Sequence, residues 1–259
     1  MSSMDFKALV DPIFRILQKA GTEIMKVYLD PERSGEIEYK SDNSPLTIAD
    51  ENSNRLIVAE LSESFEFPIL TEEAKLVDYG ERKEWRKFWL VDPLDGTKEF
   101  INRNGEFTVN IALIENGFPV FGAIGVPARD VCYIGYGNTS MKVEGEKKEI
   151  LRVNGMKSKR IAVRSKSHAS PEEEAVLKEY DASGYVSVGS SLKFCMVAEG
   201  KADIYYRHGP TMEWDIAAGH AIVRAAGGEV YSGNDTKSVF KYNKENLLNG
   251  SFLCLGFKV

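Results

Sequence analysis

The stretch Trp89-Leu90-Val91-Asp92-Pro93-Leu94-Asp95-Gly96-Thr97-Lys98-Glu99-Phe100 decides how this chain is read. An apolar run ends in two carboxylates three residues apart, and a Gly-Thr pair follows at once. Pro93 stiffens the backbone between the carboxylates, because its ring fixes φ and removes a donor. Such a loop aims two acidic side chains and a main-chain carbonyl at one point. Hard divalent cations such as magnesium favour that kind of oxygen cluster. Gly96 and Thr97 offer free N–H groups where a helix begins, and those attract phosphate. Cation and phosphate in one loop indicate metal-assisted phosphoryl transfer or hydrolysis.

Three competing readings were weighed on the same residues. An Asp-x-x-Asp-Gly taken alone is most often a surface turn. A phosphatase loop with a nucleophilic D-x-D-x-T spaces its carboxylates two apart, which is the wrong register here. An EF-hand wants oxygen ligands at its third and fifth positions, where this chain has Leu94 and Gly96. The other acidic positions lift the motif above a turn. Glu72 and Glu73 follow Phe67–Thr71, which reads as a short buried strand. Asp50 opens an apolar-periodic helix through Leu56, Ile57 and Leu61, where a cap or first-turn acid is the plainer reading. Asp215 starts a small-residue helix that Gly227-Gly228 stops, and alone it reads as an N-cap.

Composition sets outer bounds. At 259 residues the chain fits one large domain or two small ones, with ample length for a core. With 39 acidic against 33 basic residues, the formal charge of −6 argues against a binder of polymeric nucleic acid, which wants a basic face. Three widely spaced cysteines, Cys132, Cys195 and Cys254, make neither a disulfide framework nor a zinc knuckle and suit a reducing cytosol. No apolar run approaches the ~20 residues that span a bilayer, and no signal core opens the chain. The expectation is a soluble, cytoplasmic protein.

Periodicity predicts a helix over 6–29, a strand through Ile37 and Tyr39, and a helix over 50–64. Strands follow into Glu72 and over 89–91, then a hairpin over 107–126 turning at Glu115-Asn116-Gly117, then a strand over 131–136. The charged segment 142–150 reads as weakly structured and as the boundary between subdomains 1–147 and 148–259. Beyond it come strands over 161–163, 185–188 and 202–206, with helices over 171–180 and 190–199.

Together these segments resemble the magnesium-dependent, lithium-sensitive phosphatase superfamily of inositol monophosphatase and fructose-1,6-bisphosphatase. The resemblance rests on W-x-V-D-P-L-D-G-T-K-E-F from Trp89 and on W-D-x-A-A-x-x-A-I-x-x-A-G-G from Trp214. Within it the chain is most similar to the bacterial CysQ-type 3'(2'),5'-bisphosphate nucleotidases. That likeness is carried by Lys40 to Asp50, Asp95 to Ile114, Ser165 to His168 and Gly189 to Asp203.

The resemblance implies an αβαβα five-layer sandwich, mixing α/β and α+β layers. It implies two or three magnesium ions held by Glu72, Asp92, Asp95, Asp215 and the main-chain carbonyl of Leu94. Glu72 and Thr97 would hold and activate water, with Asp50 orienting Thr97, and the role of Glu73 stays open between a water-bridged contact and loop shaping. Substrate would meet Leu94, Asp95, Gly96, Thr97 and Asp215 on one side and Ser165, His168, Gly189 and Lys193 on the other, with Arg207 a weaker candidate. The plainer alternative for Lys193 is a solvated helix lysine. His208 and His220 read as structural and Cys195 as core. The implied reaction converts 3'-phosphoadenosine 5'-phosphate to AMP and phosphate, relieving product inhibition in sulfate assimilation. The implied assembly is a monomer or homodimer, with peripheral membrane association open for this type. The alternatives are an inositol or sugar monophosphatase of the same fold and a non-catalytic metal or nucleotide sensor.

Overall fold

The computed structural model describes residues 5–30, 37–39, 45–155, 159–164 and 170–258. Helix α1 (Val10–Tyr28) follows a 3-10 turn and buries Ile13, Ile16, Leu17, Ala20, Ile24 and Val27, a stripe at helical spacing. Short strands β1 (Ile37–Tyr39) and β2 (Pro45–Thr47) pair antiparallel. Helix α2 (Ile48–Ser64) starts on a capping box: Thr47 Oγ1 accepts from Ala49 N, and Asp50 Oδ2 accepts from Thr47 N at 2.8 Å.

Strand β3 (Ile69–Thr71), the one-turn helix α3 (Tyr79–Arg82), strand β4 (Lys87–Asp95) and helix α4 (Thr97–Ile101) come next. The hairpin β5 (Thr108–Glu115) and β6 (Phe118–Val126) leads to β7 (Val131–Tyr136), β8 (Thr139–Glu144) and β9 (Lys147–Ile150). These strands make one seven-stranded sheet in chain order, β3 to β9, antiparallel except for the parallel pair β3–β4. Side chains alternate between its faces. Trp89, Val91, Ile111 and Leu113 pack on α1 and α2, while Phe88, Leu90, Ala112 and Ile114 face the other way. Each such large apolar side chain contributes about 1.5–3 kcal/mol on full burial.

The second half supplies β10 (Arg160–Arg164), α5 (Pro171–Glu179), β11 (Ala182–Ser187), α6 (Leu192–Ala198), β12 (Ile204–Arg207), β13 (Thr211–Met212), α7 (Glu213–Ala226), β14 (Glu229–Ser232), β15 (Leu248–Asn249) and β16 (Phe252–Leu255). A five-stranded sheet has the order β11-β10-β12-β16-β14, with β10 parallel to β11 and β12. Helices α6 and α7 lie between the sheets in one apolar cluster that runs from Phe88 and Leu90 through Phe194 and Trp214 to Phe252. Val176 and Leu177 of α5 cover the far face over Ala162, Ile204 and Leu255. The layers are therefore α, β, α, β, α, as the resemblance implies.

Helix α7 lies hard against the larger sheet. A Cβ on Gly122 would come within 2.4 Å of Ala218 O, and one on Gly135 within 2.4 Å of Ile222 Cα. Two glycines thus set the depth of the helix that carries Asp215.

The segment 142–150 departs from expectation. It belongs to the hairpin β8–β9, which closes the edge of the large sheet, and the division expected at 147/148 falls within β9. Met141 and Val143 point inward, whereas β9 is exposed throughout. Charges there are those of a protected sheet edge. The strands after α7 were not anticipated, although β16 sits inside the smaller sheet and is wholly buried. The three cysteines are free thiols, all buried.

Candidate active site

Strand pairing gathers the acidic groups. Thr71 of β3 lies beside Val91 of β4, and Glu72 N donates to Val91 O at 3.2 Å. Glu72 and Asp92 therefore leave the sheet at the same end. In the β4–β5 ladder Asp92 faces Asn110 and Asp95 faces Thr108, so three steps on one strand match two on the other. This bulge is where Pro93 fits, because no ladder bond is asked of its missing N–H. Ser53 Oγ of α2 donates to Pro93 O at 2.8 Å, and Asp92 Oδ1 accepts from Leu94 N at 3.1 Å. The bulge is pinned from both sides.

Gly96 adopts φ +91°, and a Cβ there would lie 1.9 Å from Ser190 Oγ. Only glycine meets both demands. Thr97 opens α4, and its hydroxyl donates to Asp50 Oδ1 at 3.3 Å. Asp50 is buried, and Thr47 N and Oγ1 occupy its other oxygen. The pairing of Asp50 with Thr97 is the one the sequence suggests.

Asp95 Oδ2 accepts from Ser191 N at 2.6 Å and from Thr108 Oγ1 at 3.2 Å, and Ser191 Oγ stands 2.7 Å away. Asp95 O accepts from Ser190 Oγ at 2.9 Å. Asp215, in the first turn of α7, accepts from Met212 N at 2.8 Å.

Burial pushes the Asp92 carboxyl well above its usual value, and Glu72, Asp95, Asp215 and Asp50 push the same way. Asp215 is also raised, first by burial and then by Asp95, with Met212 N–H and Arg207 opposing. Among the described residues no three such side chains stand at the spacing of a closed metal cage. Asp95 and Asp215 each lean instead on N–H donors. The set still fits a hard divalent cation. It is made of oxygen donors alone, and beyond burial the neighbouring carboxylates Glu72 and Asp95 raise both Asp92 and Asp215, as crowded negative charge does.

The opposite wall is basic. Lys193 is 6% exposed, which rules out a solvated helix lysine. Its Nζ donates to Ser190 O at 2.8 Å and Val188 O at 3.3 Å. Burial lowers its pKa to about 8, with Asp95 opposing and Arg207 reinforcing. A cavity of about 300 Å³ is lined by Lys193, Arg207 and Tyr205 together with Asp95, Gly96 and Asp215. Arg207 Nε is buried there with no hydrogen-bond partner among the described residues. Gly189 is buried too, and its N–H donates to Glu106 Oε2 at 2.8 Å.

Ser165 and His168 lie outside the described residues, as do Lys40 to Ser44. Leu94 is buried in the bulge, and Glu73 is half-buried beside Glu72. His220 is a core residue, bonded to Glu229 and Tyr242, and Cys195 is core as well. Sequence reasoning missed Ser53, Thr108, Asn110, Ser190 and Ser191. A Ser-Ser pair after a glycine was visible, but its bonds reach back 96 residues to Asp95.

The model of the "Inositol monophosphatase family" matches residues 8–253. The 3'(2'),5'-bisphosphate nucleotidase CysQ of Escherichia coli (strain K12) is 40% identical over 245 residues, 94% of this chain and 98% of that protein. Its namesake from Buchnera aphidicola is 43% identical over 228 residues, 87% of this chain and 84% of that protein. The crystal structure of CysQ from Bacteroides thetaiotaomicron superposes with a TM-score of 0.86 at 43% identity, covering 99% of this chain and all of that one. The Thermotoga maritima IMPase, at 22% identity and a TM-score of 0.75 over 96% of this chain and 92% of that one, shares the fold. Matched along nearly its whole length in sequence and in layer order, this chain belongs to the inositol monophosphatase family.

Proposed function

We propose that this protein is a magnesium-dependent 3'(2'),5'-bisphosphate nucleotidase that hydrolyses the 3'-phosphate of 3'-phosphoadenosine 5'-phosphate to give AMP and phosphate. The observation that carries this reading is one cavity lined both by the carboxylates Asp95 and Asp215 and by the cations Lys193 and Arg207. A substrate with two phosphates suits such a cavity: one is cleaved at the acidic wall and one is retained at the basic wall. The CysQ relatives at 40% identity and above support the same substrate.

Glu72, Asp92, Asp95, Asp215 and the Leu94 carbonyl are the groups that would hold magnesium, two or three ions in number. When bound, magnesium supplies the positive charge that lets a dianionic phosphate accept a nucleophile. Asp50 takes the hydroxyl proton of Thr97, which turns the Thr97 oxygen lone pairs toward the attacking water. Glu72 removes the proton of that water. Gly96 and Thr97 present N–H groups to the scissile phosphate. Lys193 meets the retained phosphate with Arg207 nearby, Gly189 shapes the wall beside them, and Ser165 and His168 lie near the nucleotide.

An inositol or sugar monophosphatase would have little use for a buried lysine beside a half-buried arginine in this cavity. A silent sensor would not need the Asp50–Thr97 pair. No helix among the described residues is long and apolar enough to cross a membrane. We assign a cytoplasmic enzyme, monomer or homodimer, with any membrane association peripheral.

A phosphate-release panel tests the reading. The adenosine bisphosphate should outrun inositol phosphate and fructose bisphosphate by a wide margin in kcat/KM, with its phosphosulfate relative as a further substrate. Activity should vanish with excess chelator and fall when lithium is added at fixed magnesium. Comparable rates on inositol phosphate would overturn the substrate, and full turnover without metal would overturn the mechanism.

A further inference from the structure

Asp95 and Asp215 come from different parts of the molecule, one from the end of β4 and one from the start of α7. A single residue touches both. Ser191 N donates to Asp95 Oδ2 at 2.6 Å, and Ser191 Oγ lies 2.7 Å from that same oxygen. The hydroxyl is also 2.8 Å from the main-chain O of Asp215. It has one proton to share between these acceptors, and something must aim it. Asn110 Nδ2 donates to Ser191 Oγ at 2.9 Å, filling a lone pair and turning the proton toward the aspartates.

Asn110 has no evident reason to be polar except this bond. It is 1% exposed, on β5 opposite Asp92, and its side-chain oxygen has no partner among the described residues. A buried amide with an unpaired oxygen is costly to keep, and here its nitrogen serves Ser191 alone. Ser191 itself is 2% exposed and precedes α6, so the clamp is shielded from water.

We propose that Ser191, its hydroxyl aimed by Asn110, is a positioning residue that fixes Asp95 relative to α7 so that Asp95 and Asp215 bind one magnesium site together. This rests on the reading of Asp95 and Asp215 as magnesium-holding groups. The clamp holds Oδ2 of Asp95 with two donors from one residue and leaves Oδ1 outside that set of bonds. Groups that orient a ligand in this way commonly change metal affinity about 10–100-fold when removed.

The test uses the full chain and magnesium alone, titrated calorimetrically without nucleotide, beside phosphate release at varied magnesium. Ser191→Ala should weaken magnesium binding about 10–100-fold. It should raise the half-activating magnesium concentration in step and leave KM for the bisphosphate near wild type once magnesium saturates. Ser191→Thr, which keeps the hydroxyl, should restore affinity. Asn110→Ala should weaken binding in the same direction by less, and the double variant should match Ser191→Ala alone, because both act through one hydroxyl. Asn110→Ala carries the test should Ser191→Ala not fold. Unchanged magnesium affinity in the variants, a loss confined to KM, or additive losses in the double variant would overturn the clamp. A wild-type chain that binds no magnesium would instead overturn the reading of Asp95 and Asp215, and the clamp with it.

Discussion

The two sheets bring opposite charge to one end of the molecule's interior, where Asp95 shares a cavity with Lys193 and Arg207. The seven-stranded sheet delivers Glu72, Asp92 and Asp95 from strand ends. The five-stranded sheet delivers Arg207 from the end of β12 and, through the helix after β11, Lys193. Burial drives one member of each set toward neutrality, raising Asp92 and lowering Lys193. Each wall thus carries charge that the protein alone does not fully satisfy. On the function proposed above, a cation at the acidic groups and an anion at the basic ones complete both, and a magnesium-bound bisphosphate nucleotide would supply the two together.

Four substitutions test that contrast. The largest effect is expected for Asp95→Asn, which should take turnover to background. The amide keeps an acceptor for Ser191 N–H, and it relieves repulsion among neighbouring carboxylates. Thermal unfolding in chelator should therefore show a midpoint equal to or above wild type. A variant that still turns over at a substantial rate would remove Asp95 from the acidic wall. Asp95→Ala is a poorer probe, since it strands that buried N–H donor.

Thr97→Ala comes next. Its hydroxyl is bonded to Asp50 and is the group proposed to position water, so kcat should fall about a hundredfold or more while magnesium affinity holds. Steady-state kinetics at saturating magnesium separate these, and a pure KM effect would contradict the role.

Lys193→Ala probes the basic wall. Loss of a charge-assisted contact of about 1.5–3 kcal/mol corresponds to a tenfold to hundredfold rise in KM for the bisphosphate. A substrate with one phosphate should be little affected. Stability should also drop by about 1–3 kcal/mol, because the carbonyls of Val188 and Ser190 lose their donor. Equal KM losses on both substrates would assign Lys193 to the fold alone.

The smallest effect belongs to α7, which both sheets grip. His220 is buried, with Nε2 2.7 Å from Glu229 Oε1 and Nδ1 3.0 Å from Tyr242 Oη. A carboxylate only accepts, so the neutral ring carries its proton on Nε2 and Tyr242 donates to Nδ1. Burial holds His220 below its ordinary 6.5, against the pull of Glu229. The unfolded chain therefore binds this proton first as pH falls. Stability is lost below about pH 6.5, by at most about 1.4 kcal/mol per pH unit, until the folded pKa is reached. Denaturant titrations from pH 7.5 to 5 should give a shallower slope for His220→Gln. Parallel slopes would show that His220 does not titrate differently in the two states.

The main elements and the acidic loop were legible because they rest on local signals, whereas the αβαβα layer order came from the family resemblance. Apolar periodicity marks α1, α2 and the β5–β6 hairpin, and the Asp-Pro-Leu-Asp-Gly-Thr run announces the bulge. Strand β4 runs on to Asp95, past the Val91 at which periodicity ends, because the bulge lets Pro93 sit in a strand. The hairpin at 142–150 was misread since its charges mimic a loop, whereas sheet edges are where charged strands belong. Ser191 and Asn110 could not be found from sequence. Their 81-residue separation is closed only by the packing of one sheet against the other.

The absent side chain of Gly96 has one more consequence. Ser190 Oγ occupies the place a Cβ would take, so the loop bearing Thr97 and the segment bearing Lys193 fit as tongue and groove. Neither piece has its working shape until the other arrives. During synthesis the acidic loop emerges well before Ser190, and a partly made chain holds its carboxylates without the partner that sets their loop. The shape of the Thr97 loop is thereby tied to the packing of a segment more than ninety residues further along the chain.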